Sequence, residues 1–419
     1  MTTHPDAAVS TPSVSATRAL PQKLGRLGPL LFLAHAGWML PFAAAGTLAQ
    51  ALMTDLDPAR KVALYATLAT AGSLTSMVAT IVFGTLSDRT RSRFGKRNPW
   101  IVSGGFLLAI ASTLMSFTSS FPLLVVLWMV FQVGLAVVLA PLFAVLPDRV
   151  AQHNLGKASA LIGAGQLVAQ SLGAVVAGSL VTMPREGLRW LPWLIAVVMV
   201  VFATFSPERD NRDEPRTALS VRELLRSFVP PKDRDFLLAL AGRFLLLLSF
   251  MMILLYQLFL LTDYIGLSTE EAGGVIAVGG VVMAVASGAA TLLSGPLSDR
   301  LQRRKPIVMA ASVIFALAAL PLALSAEVGS FYLFLAVGGF AYGIYIAVDQ
   351  ALLAEVLPSA EDRAKDLGIL NIANTLPQVL APVLAGVLVS AVGYQPVFVI
   401  AMVLAVVSAV VLKPIQRAR

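Results

Sequence analysis

Runs of apolar residues long enough to cross a bilayer alternate with short polar connections along most of the chain. Crossing the hydrocarbon as a helix takes roughly 17–25 mainly apolar residues. Runs of that kind are 28–53, 62–86, 99–118, 122–146, 157–182 and 190–205. A charged stretch from 206 to 236 follows, and then 237–262, 272–296, 306–326, 330–356, 366–390 and 394–412. Six runs, a gap and six more predict an all-α integral membrane protein with twelve transmembrane helices. Each run is far longer than a strand of a membrane barrel.

Composition supports a bilayer as solvent. Hydrophobic residues make up 57% of the chain, charged residues 13%, and mean hydropathy is +0.81. A soluble protein carries nearer one quarter charged residues. The net charge of +8 would suggest nucleic acid in a soluble chain, but here the placement of the basic residues answers otherwise. With a cytoplasmic N-terminus and alternating connections, the tails and the 87–98, 147–157, 206–236, 297–305 and 357–365 loops lie on one side. That side holds 26 of the 31 Lys and Arg, while the other holds Arg60, Lys61, Arg185 and Arg189. Positive residues favour the cytoplasm, so both termini are expected there, and no nucleic-acid partner is expected.

The expected domains are a disordered cytoplasmic tail (1–27), six-helix bundles at 28–205 and 237–412, a cytoplasmic linker (206–236) and a C-terminal tail (413–419). Residues 1–27 lack an apolar core of signal-peptide length. In the linker, Ser220 and Glu223 form a capping box for the apolar-periodic stretch 221–228, which Pro230 and Pro231 end. A short interfacial helix is predicted there. The protein is expected in the cell membrane, as in a bacterial inner membrane, and as a functional monomer in lipid.

An internal repeat organises the runs. The segment Gly84-Thr-Leu-Ser-Asp88-Arg89 recurs as Gly295-Pro-Leu-Ser-Asp299-Arg300, 211 residues on. The same offset aligns residues 140–147 with 351–358, and one of 212 aligns Gln166 with Gln378. Because each half holds an even number of spans, both copies enter from the same side, so the repeats are parallel.

The loop after the second run reads Gly84-Thr-Leu-Ser-Asp88-Arg89-Thr-Arg91-Ser-Arg93-Phe-Gly95-Lys96-Arg97. This resembles the loop signature of the major facilitator superfamily, and the 295–305 loop holds a degenerate copy, Gly295, Asp299 and Arg300. In such a loop the glycine lets helices approach closely. The aspartate can bond backbone N–H groups at a helix N-terminus, and the arginines can pair with acids at helix ends, so the loop gates movement of the halves. The extended string from Asp88 through Gly95-Lys96-Arg97 to Trp100 is similar to the glycoside–pentoside–hexuronide cation symporters and the sucrose–proton symporters. That resemblance implies sugar uptake coupled to a cation. Run 62–86 has no carboxylate where the melibiose-type symporters place sodium-binding acids, so H+ is the expected coupling cation.

Ionisable residues inside spans cost about 2.5–3.5 kcal/mol and mark functional candidates. Here they are His35, Arg243 and Asp349. Asp349 lies nine residues before Pro358, or ~13 Å along a helix, and Arg243 lies eight after Asp235. The matched depths predict an ion pair between the seventh and tenth spans, either lining the cavity and taking part in proton coupling or serving as a static structural pair. Tyr342, Tyr345 and Asp349 share one helical face. Asn371, Asn374 and Gln378 share another, as do Gln166 and Gln170. Amides suit the hydroxyls of a polar solute, and they also serve as interhelical bonds. His35 and Trp38, one turn apart, offer a proton carrier and a stacking platform, or a satisfied histidine beside a packing indole. Gln132, Tyr256 and Gln257 are further candidate cavity groups. No cysteine is present, and the histidines lack metal-ligand spacing. No catalytic or phosphate-binding motif is present, so no enzyme, resident cofactor or ATP site is expected. The leading expectation is proton-coupled symport of a sugar or related polar solute, and the alternative is proton-coupled export of drugs or metabolites.

Overall fold

The structure, a computed structural model, describes residues 24–213, 233–301, 303–356 and 363–416. The side chains of 299, 350, 351, 354–356 and 363–372 fall outside that description, as does the predicted amphipathic stretch 221–228. Twelve long helices dominate: α1 Leu27–Leu56, α2 Lys61–Arg89, α3 Asn98–Met115, α4 Phe121–Arg149, α5 Leu155–Leu180, α6 Pro184–Phe205, α7 Arg234–Leu254, α8 Thr269–Leu301, α9 Arg304–Leu324, α10 Val328–Val356, α11 Arg363–Val392 and α12 Gln395–Leu412. All twelve are long and apolar enough to cross a membrane. Proline marks the first turn of α3, α4, α6 and α12. Its missing N–H costs nothing there, and its φ is already helical.

The packing repeats with a period of six helices. α1 packs on α5 and α6 as α7 packs on α11 and α12, and α4 receives α2 and α3 as α10 receives α8 and α9. The α3–α6 contact recurs as α9–α12. The two most extensive helix contacts between the halves are α5 with α8 and α2 with α11, and each is the other's image under the repeat. The two bundles are thus parallel copies, as the sequence repeat predicts.

Small residues set the spacing inside each bundle. A side chain at Gly104 would meet the Gly134 carbonyl of α4 at 2.8 Å, and one at Gly173 the Leu40 carbonyl of α1 at 2.6 Å. Hydroxyls bond across helices, Ser249 to the Ala401 carbonyl at 2.6 Å and Ser408 to the Gly242 carbonyl at 2.7 Å, tying α7 to α12. Outward faces are apolar: Val285, Leu292, Leu317, Leu324 and Val387 are all exposed. In water such a surface would aggregate, whereas in lipid it is the solvated side.

Two departures from the sequence reading change the local chemistry. α6 begins at Pro184 rather than at residue 190, which puts Arg185 and Arg189 on its first turns. There Arg185 donates to the Ser116 and Thr118 carbonyls past the end of α3, at 3.2 and 2.8 Å, and Arg189 to the Ser116 hydroxyl at 3.1 Å. Cations at a helix C-terminus satisfy its orphan carbonyls, so these residues extend the helix instead of breaking it. The seventh run is not one straight helix. α7 stops at Leu254, a single turn spans Gln257–Phe259, and a π-helical turn covers Leu260–Tyr264.

Candidate functional site

The second bundle buries a charge pair in its middle. An Nη of Arg243 on α7 donates to Asp349 on α10, and both side chains are almost fully buried. Nε of Arg243 donates to Oδ1 of Asn374 on α11 at 2.7 Å. Tyr345, one turn before Asp349, is fully buried, and its hydroxyl beside the carboxylate has no hydrogen-bond partner of ordinary geometry. Tyr342 lies half-buried and stacks on Phe250 of α7, with ring centroids 4.1 Å apart. Gln378 is exposed and donates to the Asn374 carbonyl. The predicted Arg243–Asp349 contact is therefore present, with Asn374 as a third member. The Asn371 side chain lies outside the described residues.

The first bundle holds a neutral counterpart. His35 on α1 is completely buried, and its Nδ1 accepts from Trp38 Nε1 at 3.4 Å and from Gln166 Nε2 of α5 at 3.3 Å. Two donors on Nδ1 place the proton of the neutral ring on Nε2, and that atom is buried without a partner. Phe143 of α4 stands edge-on to both the His35 ring and Trp38, and Trp38 also meets Phe42. No carboxylate contacts His35 among the described residues, and a proton on Nδ1 would oppose both donors. In this conformation Nδ1 is engaged as an acceptor, an arrangement that fits the histidine-beside-a-packing-indole alternative. Gln170, one turn beyond Gln166, is exposed. Gln132 is buried with its Oε1 unpaired, packed against Gly72 of α2 beside Trp128.

Tyr256 and Gln257 belong to a different place. Their segment lies at the end of the molecule opposite the Asp88–Arg97 loop, where the halves are bonded together. The Tyr256 hydroxyl donates to the Pro382 carbonyl of α11 at 2.7 Å. Gln257 Nε2 donates to the Thr47 hydroxyl of α1 at 3.1 Å, and the Leu258 N–H donates to Oε1 of Gln50 at 3.1 Å. Lys61 at the start of α2 pairs with Asp263 at 2.6 Å, and Tyr394 donates to the same carboxylate at 3.2 Å. Thr47, Gln50, Lys61 and Asp263 were not singled out by the sequence. Lys61 read there as a loop charge, and the partners of Thr47 and Gln50 depend on the break in α7.

At the loop end, Arg97 is nearly buried and is the hub. It pairs with Asp88 at 2.5 Å, with Asp148 at the end of α4 at 3.0 Å, and donates to the Ser87 hydroxyl. Lys96 pairs with the same Asp148 at 2.9 Å. Arg89 ends α2 half-buried, and Arg300 is exposed at the end of α8. The side chain of Asp299 is outside the described residues.

A family model described as Major Facilitator Superfamily matches residues 27–289 and 281–419. The chain belongs to the major facilitator superfamily. Solved structures of the same fold include the nucleoside transporter NupG (D323A mutant), with TM-score 0.75 and 13% identity over 93% of this chain and 100% of that one. A D-xylose–proton symporter gives TM-score 0.69 and 16% identity over 93% and 98%. A bacterial homologue of the human lysosomal transporter Spinster, in an inward-facing and occupied conformation, gives 0.70 and 15% over 95% and 98%. At these identities the likeness is one of fold. Among curated proteins the sequence finds no match.

In this major facilitator chain the N-terminus of α3 takes its anion from Glu208, whose Oε2 accepts from the backbone N–H groups of Arg97 and Asn98 at 2.8 and 3.4 Å. Glu208 is brought there by the segment after α6, which also bonds through Asn211 to the Ser92 N–H and the Thr90 carbonyl. The first loop glycine does not enforce a tight crossing in this conformation: a side chain at Gly84 would meet Ala140 at an ordinary 3.8 Å, and one at Gly295 would meet nothing within 4 Å among the described residues. The glycine that this conformation requires is Gly95, held at φ +84 under Glu208, a backbone region costly for other residues.

Proposed function

We propose that this transporter takes up a small polar solute together with a proton, by alternating access between two rigid halves, 28–205 and 237–412. The observation that carries the reading is the Arg243–Asp349 pair, buried in the middle of a bilayer-spanning bundle. Static packing gives little reason to place two charges there, because similar-sized apolar side chains hold a core as well or better. A carboxylate that alternates between an arginine and a proton couples protonation to rearrangement of α7, α10 and α11. The solute would lie between Asn374 and Gln378 on one side and Trp38, Phe143 and Gln166 on the other. The extended loop string supports a sugar or related solute.

The basic-residue distribution supports cytoplasmic termini, so the bonded end of the molecule would face outward, and the membrane would be a bacterial inner membrane. The protein would act as a monomer. Uptake of labelled sugars and sugar acids into proteoliposomes, with and without an imposed pH gradient, tests the mechanism. Uptake should follow the gradient and lose that dependence in Asp349→Asn. Gradient-independent uptake that survives this substitution unchanged would overturn it.

One observation favours export instead: the first-bundle wall of Trp38, Phe42 and Phe143 is aromatic and carries no acid. An exporter would confer resistance to toxic apolar compounds on expressing cells, and a solute importer would not.

A further inference from the structure

Charge balance around Arg243 restricts the solute. In the described state the guanidinium and Asp349 cancel, with Asn374 Oδ1 as a neutral third partner. Among the described residues, the helices packed around the pair offer no substitute counter-ion. α8, α9 and α12 bring no ionisable residue to the middle of the bundle, and α10 brings only Tyr342 and Tyr345 besides Asp349. Among the described residues of the facing bundle, the central polar groups are neutral: His35, Gln132, Gln166 and Gln170. A proton on Asp349 would therefore leave a buried cation uncompensated in a low-dielectric medium, which strongly opposes protonation.

Resting on the coupling role proposed above, we infer that the solute carries a negative charge, a carboxylate or a group like it, which replaces Asp349 as the counter-ion of Arg243. The planar guanidinium suits a carboxylate bidentately. Asn374, half-buried beside the guanidinium, and exposed Gln378 one turn away provide a polar approach. A proton then enters with each anion, so the site's net charge is unchanged by loading. A neutral sugar would leave one surplus positive charge in the membrane.

The test uses purified full-length protein in detergent and two matched pairs of probes, gluconate with sorbitol and lactate with propane-1,2-diol. Thermal stabilisation is read at pH 5.5 and 7.5, since bound ligand raises the midpoint by mass action. Only the acids should stabilise the protein, and more strongly at pH 5.5. In Asp349→Asn the carboxyl is permanently neutral. That variant should bind the acids at pH 7.5 about tenfold or more tightly than the wild type, with no pH dependence. Should that variant fail to fold, the double substitution Arg243→Gln with Asp349→Asn removes both charges and must abolish the acid response.

Stabilisation by the neutral alcohols alone, no response to either acid, or an equal acid response at both pH values in the wild type would overturn the inference. So would an acid response that persists in the double variant. Failure of the coupling reading looks different: acid-specific stabilisation stays, but gluconate uptake into proteoliposomes ignores the pH gradient.

Discussion

The bond between Gln50 and the Leu258 N–H offers a direct handle on the conformational equilibrium. The break after Leu254 starts a new helical turn at Gln257, and the first N–H groups of any helix have no partner within it. Gln50, on the other half of the molecule, supplies the acceptor at 3.1 Å in a buried setting. Gln50→Met keeps the volume and removes the acceptor. In the closed arrangement the N–H is then buried unpaired, at a cost of about 1–3 kcal/mol. When the halves part at this end, water can satisfy it, so the cost falls on one state only. The ratio of open to closed should rise about 5- to 150-fold. The chain has no cysteine, so Arg60→Cys and Glu270→Cys, both exposed and on opposite halves at this end, can carry a spin-label pair without other changes. Pulsed distance measurements should show the longer-distance population growing in Gln50→Met. An unchanged distribution in a variant that remains folded would refute the reasoning.

Two other substitutions test the ends of the molecule. Arg97→Ala removes three interactions at once, discounted because Asp88 and Asp148 are partly exposed. It should cost about 2 kcal/mol, read as a lower thermal midpoint, and Arg97→Lys should restore only part because a point charge cannot fork to both acids. Tyr256→Phe deletes the bond to the Pro382 carbonyl and should lower stability by about 1 kcal/mol. Its solute uptake should stay at the wild-type level, which separates Tyr256 from the residues that contact solute.

Legibility in the sequence followed the geometry of a helix in a bilayer. Depth along the membrane normal is nearly linear in residue number, at 1.5 Å per residue. Two charges at equal depths, Arg243 and Asp349, could therefore be paired before any packing was known. Rotation about each helix axis is set by neighbours, and the amide candidates scattered accordingly: Gln166 bonds His35, Gln170 and Gln378 are exposed, and Gln132 is buried against Gly72. The break in α7 left no trace at all. From Phe250 to Ile265 there is neither glycine nor proline, so the run reads as continuous helix, and the partners that the break creates for Gln50 and Thr47 stayed hidden with it. Glu208 was invisible for a related reason: it is one of several acids in a connecting segment, and only the return of that segment to α3 distinguishes it. The polar contacts missed by the sequence are thus those that depend on irregular backbone and connecting segments. A polar group can release such a contact without unfolding a span, and the Gln50 bond would do so at the end where the halves must part.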